Sequence, residues 1–94
     1  MQLSFRGPIW FWKGPAPWYF VSVPDDQAAA LASVAGVVSY GWGMIPVSAR
    51  IGGTQWSTAM FPKDGTYLLP IRASVRALEG LVEGDAVDVH LVIH

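Results

Sequence analysis

The stretch that decides the fold is IPVSARIGGTQWSTAM, which runs from Ile45 to Met60. Two runs rich in β-forming residues flank the adjacent glycines Gly52 and Gly53. Glycine adopts the positive φ angles that a two-residue turn of type I′ requires, so this pair marks a hairpin turn. The stretch therefore predicts two antiparallel strands joined by a type I′ turn.

A turn at these two glycines also fixes the register of the hairpin. One face then carries the pairs Ile51–Thr54, Ala49–Trp56, Val47–Thr58 and Ile45–Met60, and the other carries Arg50–Gln55 and Ser48–Ser57. This register separates apolar from polar residues, which is typical of a sheet with one buried face. We therefore expect Trp56 in the core opposite Ala49. The candidate ligand or partner contacts on the polar face are Ser48, Arg50, Gln55 and Ser57.

Four other short segments are predicted to be strands, and the first and last of them show the alternation of period 2 that is typical of a half-buried strand. They are Gln2–Trp12, Trp18–Val23, Thr66–Leu69 and Ala86–Ile93. The dipeptide Gly7-Pro8 predicts a bulge or an edge position in the first, because proline cannot donate to a ladder. The second segment is expected to be the hairpin partner of the first.

Two short helices are expected between the strands. The first begins at Pro24, has Asp25 and Asp26 at the positive end of its dipole, and should end at Gly36. Since it carries almost no charge after Asp26, we expect it to be packed over most of its surface. The second runs from Arg72 to Glu79 and ends at Gly80. Its inward residues should be Ile71, Val75 and Leu78.

Composition bounds the class of protein. The 94 residues are 52% apolar and 14% charged, and they include no cysteine. We expect one domain spanning residues 1–94, because a chain this long buries only one modest core. Disorder is excluded, and so is a helical membrane span, which needs roughly 18 uninterrupted apolar residues. The lack of disulfides and of a signal-peptide pattern in MQLSFRGPIW favours a cytoplasmic location.

The charge pattern disfavours nucleic acid as a partner. The formal net charge is −1 at neutral pH. The six cations are scattered along the chain at Arg6, Lys13, Arg50, Lys63, Arg72 and Arg76. Nucleic-acid affinity depends mainly on neutralising phosphates with clustered basic residues, so this pattern argues against it.

Residues 41–70, GWGMIPVSARIGGTQWSTAMFPKDGTYLLP, resemble a bacterial and archaeal family known as domain of unknown function 1905. Residues 18–24 and 72–89 are also similar to that family, so the resemblance covers nearly the whole chain. It implies a mainly β fold, a small double-split β-barrel of about six to seven strands with helices closing its ends. The family has no assigned catalytic residues, so the resemblance implies no catalytic role for any residue here.

Two further groups of polar residues suggest ligand sites. Arg72 and Arg76 lie one helical turn apart and could bind a carboxylate or phosphate, although a solvated face with Glu79 as a partner is the simpler interpretation. His90 and His94 alternate with buried residues on the last strand. Four residues of strand span roughly 13 Å, too far for two ligands of one metal ion. We expect no metal and no cofactor.

The five tryptophans suggest a contact surface. Trp56 and Trp18 are expected in the core, whereas Trp10 and Trp12 lie on the more polar face of the first strand. With Val92 of the last strand, Trp10 and Trp12 form the candidate self-association face, and a homodimer would cover such apolar side chains. The position of Trp42 is left open.

Three classes of function follow. The favoured one is a non-enzymatic binding or interaction module that recruits a protein or a small molecule. The alternative is an enzyme whose polar site forms only in the folded barrel or at a subunit interface. A weaker alternative is a DNA-binding barrel. No nucleophile with an adjacent base is visible in the sequence, which favours the first class.

Overall fold

The computed structural model describes residues 1–14, 18–38, 41 and 43–94. Its elements are β1 (Gln2–Pro8), β2 (Trp10–Trp12), β3 (Trp18–Ser22), α1 (Asp25–Val38), β4 (Ile45–Ile51), β5 (Thr54–Lys63), β6 (Thr66–Pro70), α2 (Ala73–Glu79) and β7 (Ala86–Ile93). The predicted mainly β fold of six to seven strands and two helices is confirmed.

All strands pair antiparallel, in the order β1-β7-β4-β5-β6-β3-β2. The two outer strands of this order, β1 and β2, are consecutive pieces of one chain segment separated only by Ile9. Because the chain joins them directly, the sheet curls back on itself into a β-barrel-like shape. The backbone of Ile9 holds this junction: its N–H donates to the Asp85 carbonyl (2.9 Å), and its carbonyl accepts from Gly84 (2.8 Å).

The β4–β5 hairpin has the predicted register, from Ile51 opposite Thr54 to Ile45 opposite Met60. The predicted turn type was wrong. Gly52 has a φ of 59°, but Gly53 has no positive φ. A positive φ at the first central residue alone is the pattern of a type II′ turn, which also suits the twist of a hairpin.

The core lies on the concave side of the sheet. Its largest fully buried side chains are Ile9, Leu31, Ile45, Met60, Leu69 and Leu91. Trp56 is 8% exposed and lies opposite Ala49, as predicted. The core position predicted for Trp18 was wrong, because Trp18 is 41% exposed. In β3 it is Tyr19 and Val21 that pack against the core, so strand alternation turns Trp18 to the outer face.

The helices depart from their predicted details. α1 continues through Gly36 to Val38, and it buries only the stripe that contains Ala28 and Leu31. Its other described positions are half-buried or exposed, so the expectation that α1 is packed over most of its surface was wrong. α2 ends at Gly80, whose φ of 65° forms the expected left-handed cap. Ile71 and Val75 are buried as predicted.

Leu78 was predicted to face inward but is exposed. α2 has only seven residues, and Val75 is its one buried side chain. The core cluster includes Val75 but not Leu78, so Leu78 lies beyond the part of α2 that packs on the core.

Candidate binding site

The outer face of the sheet, opposite the core, has a polar part and an aromatic part. β5 carries both on the same side of the strand, with Gln55 and Ser57 in its first half and Phe61 and Lys63 in its second. The polar part continues across β4, β7 and β1, whereas the aromatic part continues across β6, β3 and β2. The β-barrel therefore offers two chemically different surfaces.

The polar part contains a small pocket of about 170 Å³. Three of the predicted contacts, Ser48, Arg50 and Gln55, line it. They are joined there by Gln2, Ser4 and His90. Ser57 does not line this pocket, although it pairs with Ser48 across the hairpin, and its carbonyl oxygen instead accepts a hydrogen bond from Arg72. The fold thus brings most of the predicted polar contacts together.

Two serine–histidine pairs lie on this polar surface. Ser4 Oγ is 2.9 Å from His90 Nδ1, and Ser48 Oγ is 2.8 Å from His94 Nε2. A serine hydroxyl beside an imidazole resembles a nucleophile with its base, but such pairs rely on a third group that orients the base. The neighbouring carboxylate, Asp88, is paired with Arg6 at 3.0 Å. Among the described residues, neither imidazole contacts a carboxylate.

The aromatic part forms a concave groove of about 360 Å³, which we call the aromatic groove. Its floor is buried within the chain itself, since Phe20 is 2% and Leu68 is 4% exposed. Its walls stand out into solvent, with Trp12 and Trp18 each 41% exposed. The remaining lining residues are Phe61, Pro62 and Lys63.

The rings of the groove hold one another in place. Trp18 lies parallel to Phe20, with ring planes 5° apart and centroids 6.1 Å apart. Phe61 meets both edge-on, at 83° and 85°. Trp10 packs on Phe20 at 5.4 Å, and its indole N–H donates to Ser22 Oγ at 3.0 Å. Parallel-displaced and edge-on contacts are the preferred aromatic geometries, so the groove is held by favourable contacts.

One cation lies at the rim of the groove. Lys63 Nζ is 5.6 Å from the centroid of a Trp12 ring, within the range of a cation–π contact. The groove is therefore an apolar slot with a positive charge at the Trp12 wall.

A second pocket, of about 300 Å³, is also lined by Trp18 and contains both Arg72 and Arg76. We call it the arginine pocket. Arg72 Nη2 donates to the Ser57 carbonyl at 2.7 Å. Arg76 lies over the ring of Tyr19, with its guanidinium carbon 3.9 Å from the centroid. Trp18 and Tyr19 form the aromatic side of this pocket.

The predicted interaction of Glu79 with one of these arginines was wrong. The Glu79 carboxylate accepts a hydrogen bond from Thr54 Oγ1 instead, because the end of α2 packs against the β4–β5 turn. Among the described residues, the ion pair Arg6–Asp88 is the only one present. Arg72 and Arg76 therefore have no carboxylate partner in that part of the chain.

The predicted self-association residues lie in two places. Trp12 is a wall of the aromatic groove, and Trp10 supports it from a half-buried position rather than the exposed one expected. Val92 lines the polar pocket, so the fold does not bring it beside the tryptophans. Trp42 lies outside the described residues.

Sequence reasoning missed Trp18, Phe20, Phe61 and Leu68 as members of a site. For Phe61 the available signal was the alternation of β5, which places it on the face opposite Met60, whereas β3 is apolar on both faces and gave no such signal.

Two further features of the described residues concern metal binding and membrane insertion. His90 and His94 are both exposed on the outer face. In the described ranges, no group of three or more His, Cys, Asp or Glu side chains could hold a metal ion. None of the helices seen there has the length and apolar character needed to cross a membrane.

The fold and these surfaces define a small β-barrel-like domain with an apolar groove on the outer face of its sheet and a neighbouring cationic pocket that shares Trp18 with the groove. The chain matches the family described as Domain of unknown function (DUF1905) over residues 5–91, and it belongs to that family. The resemblance drawn from the sequence is thereby confirmed. A comparison with curated proteins found no match.

Proposed function

We propose that the chain is a non-enzymatic binding module, and that the aromatic groove binds a small planar apolar molecule. The observation that carries this proposal is the concave shape of the groove, with a buried floor at Phe20 and exposed walls at Trp12 and Trp18. Small-molecule sites are concave and mostly apolar, and their volumes are about 300–1,000 Å³. The groove, at about 360 Å³, has room for one such molecule.

The rings of the groove favour an aromatic ligand. Trp18 offers an exposed indole face that lies parallel to Phe20, and Phe61 stands perpendicular to it. A planar ring placed on the Trp18 face makes a stacked contact, because the face of one ring attracts the edge or the offset face of another. An aliphatic ligand would gain only the free energy of burying its apolar surface, without the additional ring–ring attraction. The proposed ligand is therefore a planar aromatic molecule.

The enzyme alternative rests on the two serine–histidine pairs of the polar surface. Those pairs are exposed, and neither imidazole contacts a carboxylate among the described residues. A DNA-binding role has less support, since the net charge is −1 and the groove has one cation at its rim. Binding without catalysis is therefore the better-supported function, and a cytoplasmic location, expected from the absence of cysteine, is part of the proposal.

A titration with a neutral two-ring probe, 2-naphthamide, tests the proposal, followed by two-dimensional NMR of the protein amides. We expect shifts to cluster at β2, β3 and the second half of β5. Trp18→Ala should weaken binding about tenfold, since stacking on an aromatic side chain contributes about 1–3 kcal/mol. Val92→Ala is the matched control, because Val92 is as exposed as Trp18 but lines the polar pocket.

Two results would contradict this assignment. One is a loss of binding in Val92→Ala equal to that in Trp18→Ala. The other is a homodimer that covers the groove, since a second copy of the chain is the other occupant that would bury Trp12 and Trp18. Light scattering at micromolar concentration would detect this homodimer as a mass near twice 10.2 kDa. If the dimer covers the groove, Trp12→Ala should return the mass to the monomer value.

A further inference from the structure

The arginine pocket holds two positive charges without a negative one. Arg72 and Arg76 line the same cavity, and neither contacts a carboxylate among the described residues. The remaining residues of the chain, 15–17, 39, 40 and 42, include no aspartate or glutamate. Two positive charges in one cavity repel each other, and a shared anion would offset this repulsion.

Both guanidinium groups are held in position by the protein. Arg72 is anchored by the hydrogen bond from Nη2 to the Ser57 carbonyl, and Arg76 by the Tyr19 ring and a longer bond from Nε to the Ile71 carbonyl (3.4 Å). Each group has five N–H donors, so several remain on each side chain. Planar guanidinium groups that are already oriented suit the two-oxygen edge of a carboxylate or phosphate.

Trp18 connects this pocket to the aromatic groove, because it lines both. A ligand ring stacked on Trp18 in the groove would therefore share this side chain with the arginine pocket. We propose that the arginine pocket binds an oxyanion, and that the ligand of the groove is an aromatic acid with its carboxylate or phosphate between Arg72 and Arg76. This inference rests on the proposed function, since it places the ligand ring in the aromatic groove.

The experiment compares ligands that share one ring system. 2-Naphthoate carries a carboxylate, 2-naphthyl phosphate a phosphate, and 2-naphthamide neither, while inorganic phosphate lacks the ring. We expect at least one of the two acids to bind the native chain at least tenfold more tightly than the amide. The comparison of the two acids identifies which oxyanion the pocket prefers.

Variants that remove one positive charge identify which residues make the acid bind more tightly than the amide. Arg72→Gln and Arg76→Gln should each bring the affinity for the acid close to that for the amide. Arg50→Gln is the matched control, because it removes the same charge from an exposed arginine of the polar pocket. Lys63→Gln tests the cation at the opposite wall of the groove. Arg76→Lys keeps the charge but loses the planar group, and thermal unfolding of each variant verifies folding.

The outcomes separate the two proposals. Equal affinity of the native chain for acid and amide overturns the aromatic-acid inference and leaves the proposed function intact. An acid preference that falls as far in Arg50→Gln or Lys63→Gln as in Arg72→Gln also overturns the inference. Acid binding that needs both arginines but is unchanged in Trp18→Ala supports the oxyanion site and overturns the groove as the ring's binding site.

Discussion

Replacement of Gly52 by alanine tests how the hairpin turn and α2 support each other. Gly52 has a φ of 59°, and an added Cβ would overlap Oε1 of Glu79. The same Glu79 carboxylate accepts the hydrogen bond of Thr54 Oγ1. Gly53, the other residue of the turn, has no positive φ, and no atom lies within 4 Å of its added Cβ. The two adjacent glycines therefore form a matched pair.

Three effects set the change in the free energy of unfolding that Gly52→Ala should cause. A left-handed conformation costs an alanine about 1–2 kcal/mol. Displacing Glu79 removes its hydrogen bond with Thr54, and a bond to a charged acceptor contributes about 1.5 kcal/mol at the lower end of its range. Alanine also restricts the unfolded chain, which offsets about 0.4–1 kcal/mol. Gly52→Ala should lower the free energy of unfolding by about 2 kcal/mol, which for this chain length is about 10 °C in Tm.

Urea unfolding of Gly52→Ala and Gly53→Ala measures the difference, and both substitutions are repeated in a Glu79→Ala background. Gly53→Ala should leave stability unchanged or raise it slightly, since only the restriction of the unfolded chain remains. Without Glu79, the cost of Gly52→Ala should fall to about 1 kcal/mol, which is the cost of the left-handed conformation less the offset from the restricted unfolded chain. Equal costs for the two glycines, or a Gly52→Ala cost that does not depend on Glu79, would refute this account.

The remaining predictions concern the core and one surface ion pair. Trp56→Ala should lower the free energy of unfolding by about 3–5 kcal/mol, because it empties a buried site. Trp56→Phe should cost much less, since the indole Nε1 is buried without a hydrogen-bond partner among the described residues; an equal cost in urea unfolding would contradict this. Arg6→Ala should cost less than about 1 kcal/mol, because Arg6 and Asp88 are both mostly exposed, and a larger loss in the same assay would show that the pair is structural.

The β4–β5 register could be predicted from the sequence because two constraints agreed. The adjacent glycines fixed the loop length, and loop length fixes which residues face each other. The resulting pairs then separated apolar from polar residues, so a shift by one residue would have exposed Trp56 and buried Arg50. The turn type could not be predicted with the same success, because Gly-Gly accommodates both primed turns.

The aromatic groove could not be predicted in the same way, because β3 is apolar on both faces. Its sequence WYFVS places Trp18 and Phe20 on one face and Tyr19 and Val21 on the other. Alternation indicates which residues share a face, but it identifies the inner face only where the two faces differ in polarity. The arginine pocket could not be predicted because Glu79 contacts Thr54 at the β4–β5 turn rather than Arg76 along the helix.

The strands that supply the described lining of the groove also affect how it binds a ligand. Among the described residues, those that line it belong to β2, β3, β5 and β6, and neither helix contributes one. Phe20 is nevertheless almost completely buried, so the surrounding rings cover it without help from a helix or a partner. Side chains that are packed on paired strands lose little further freedom when a ligand arrives, and this lowers the cost of association. The same rigidity means that the spacing of Trp12, Trp18 and Phe61 sets which ring systems fit, so selectivity among aromatic ligands should follow ring size more than total hydrophobicity.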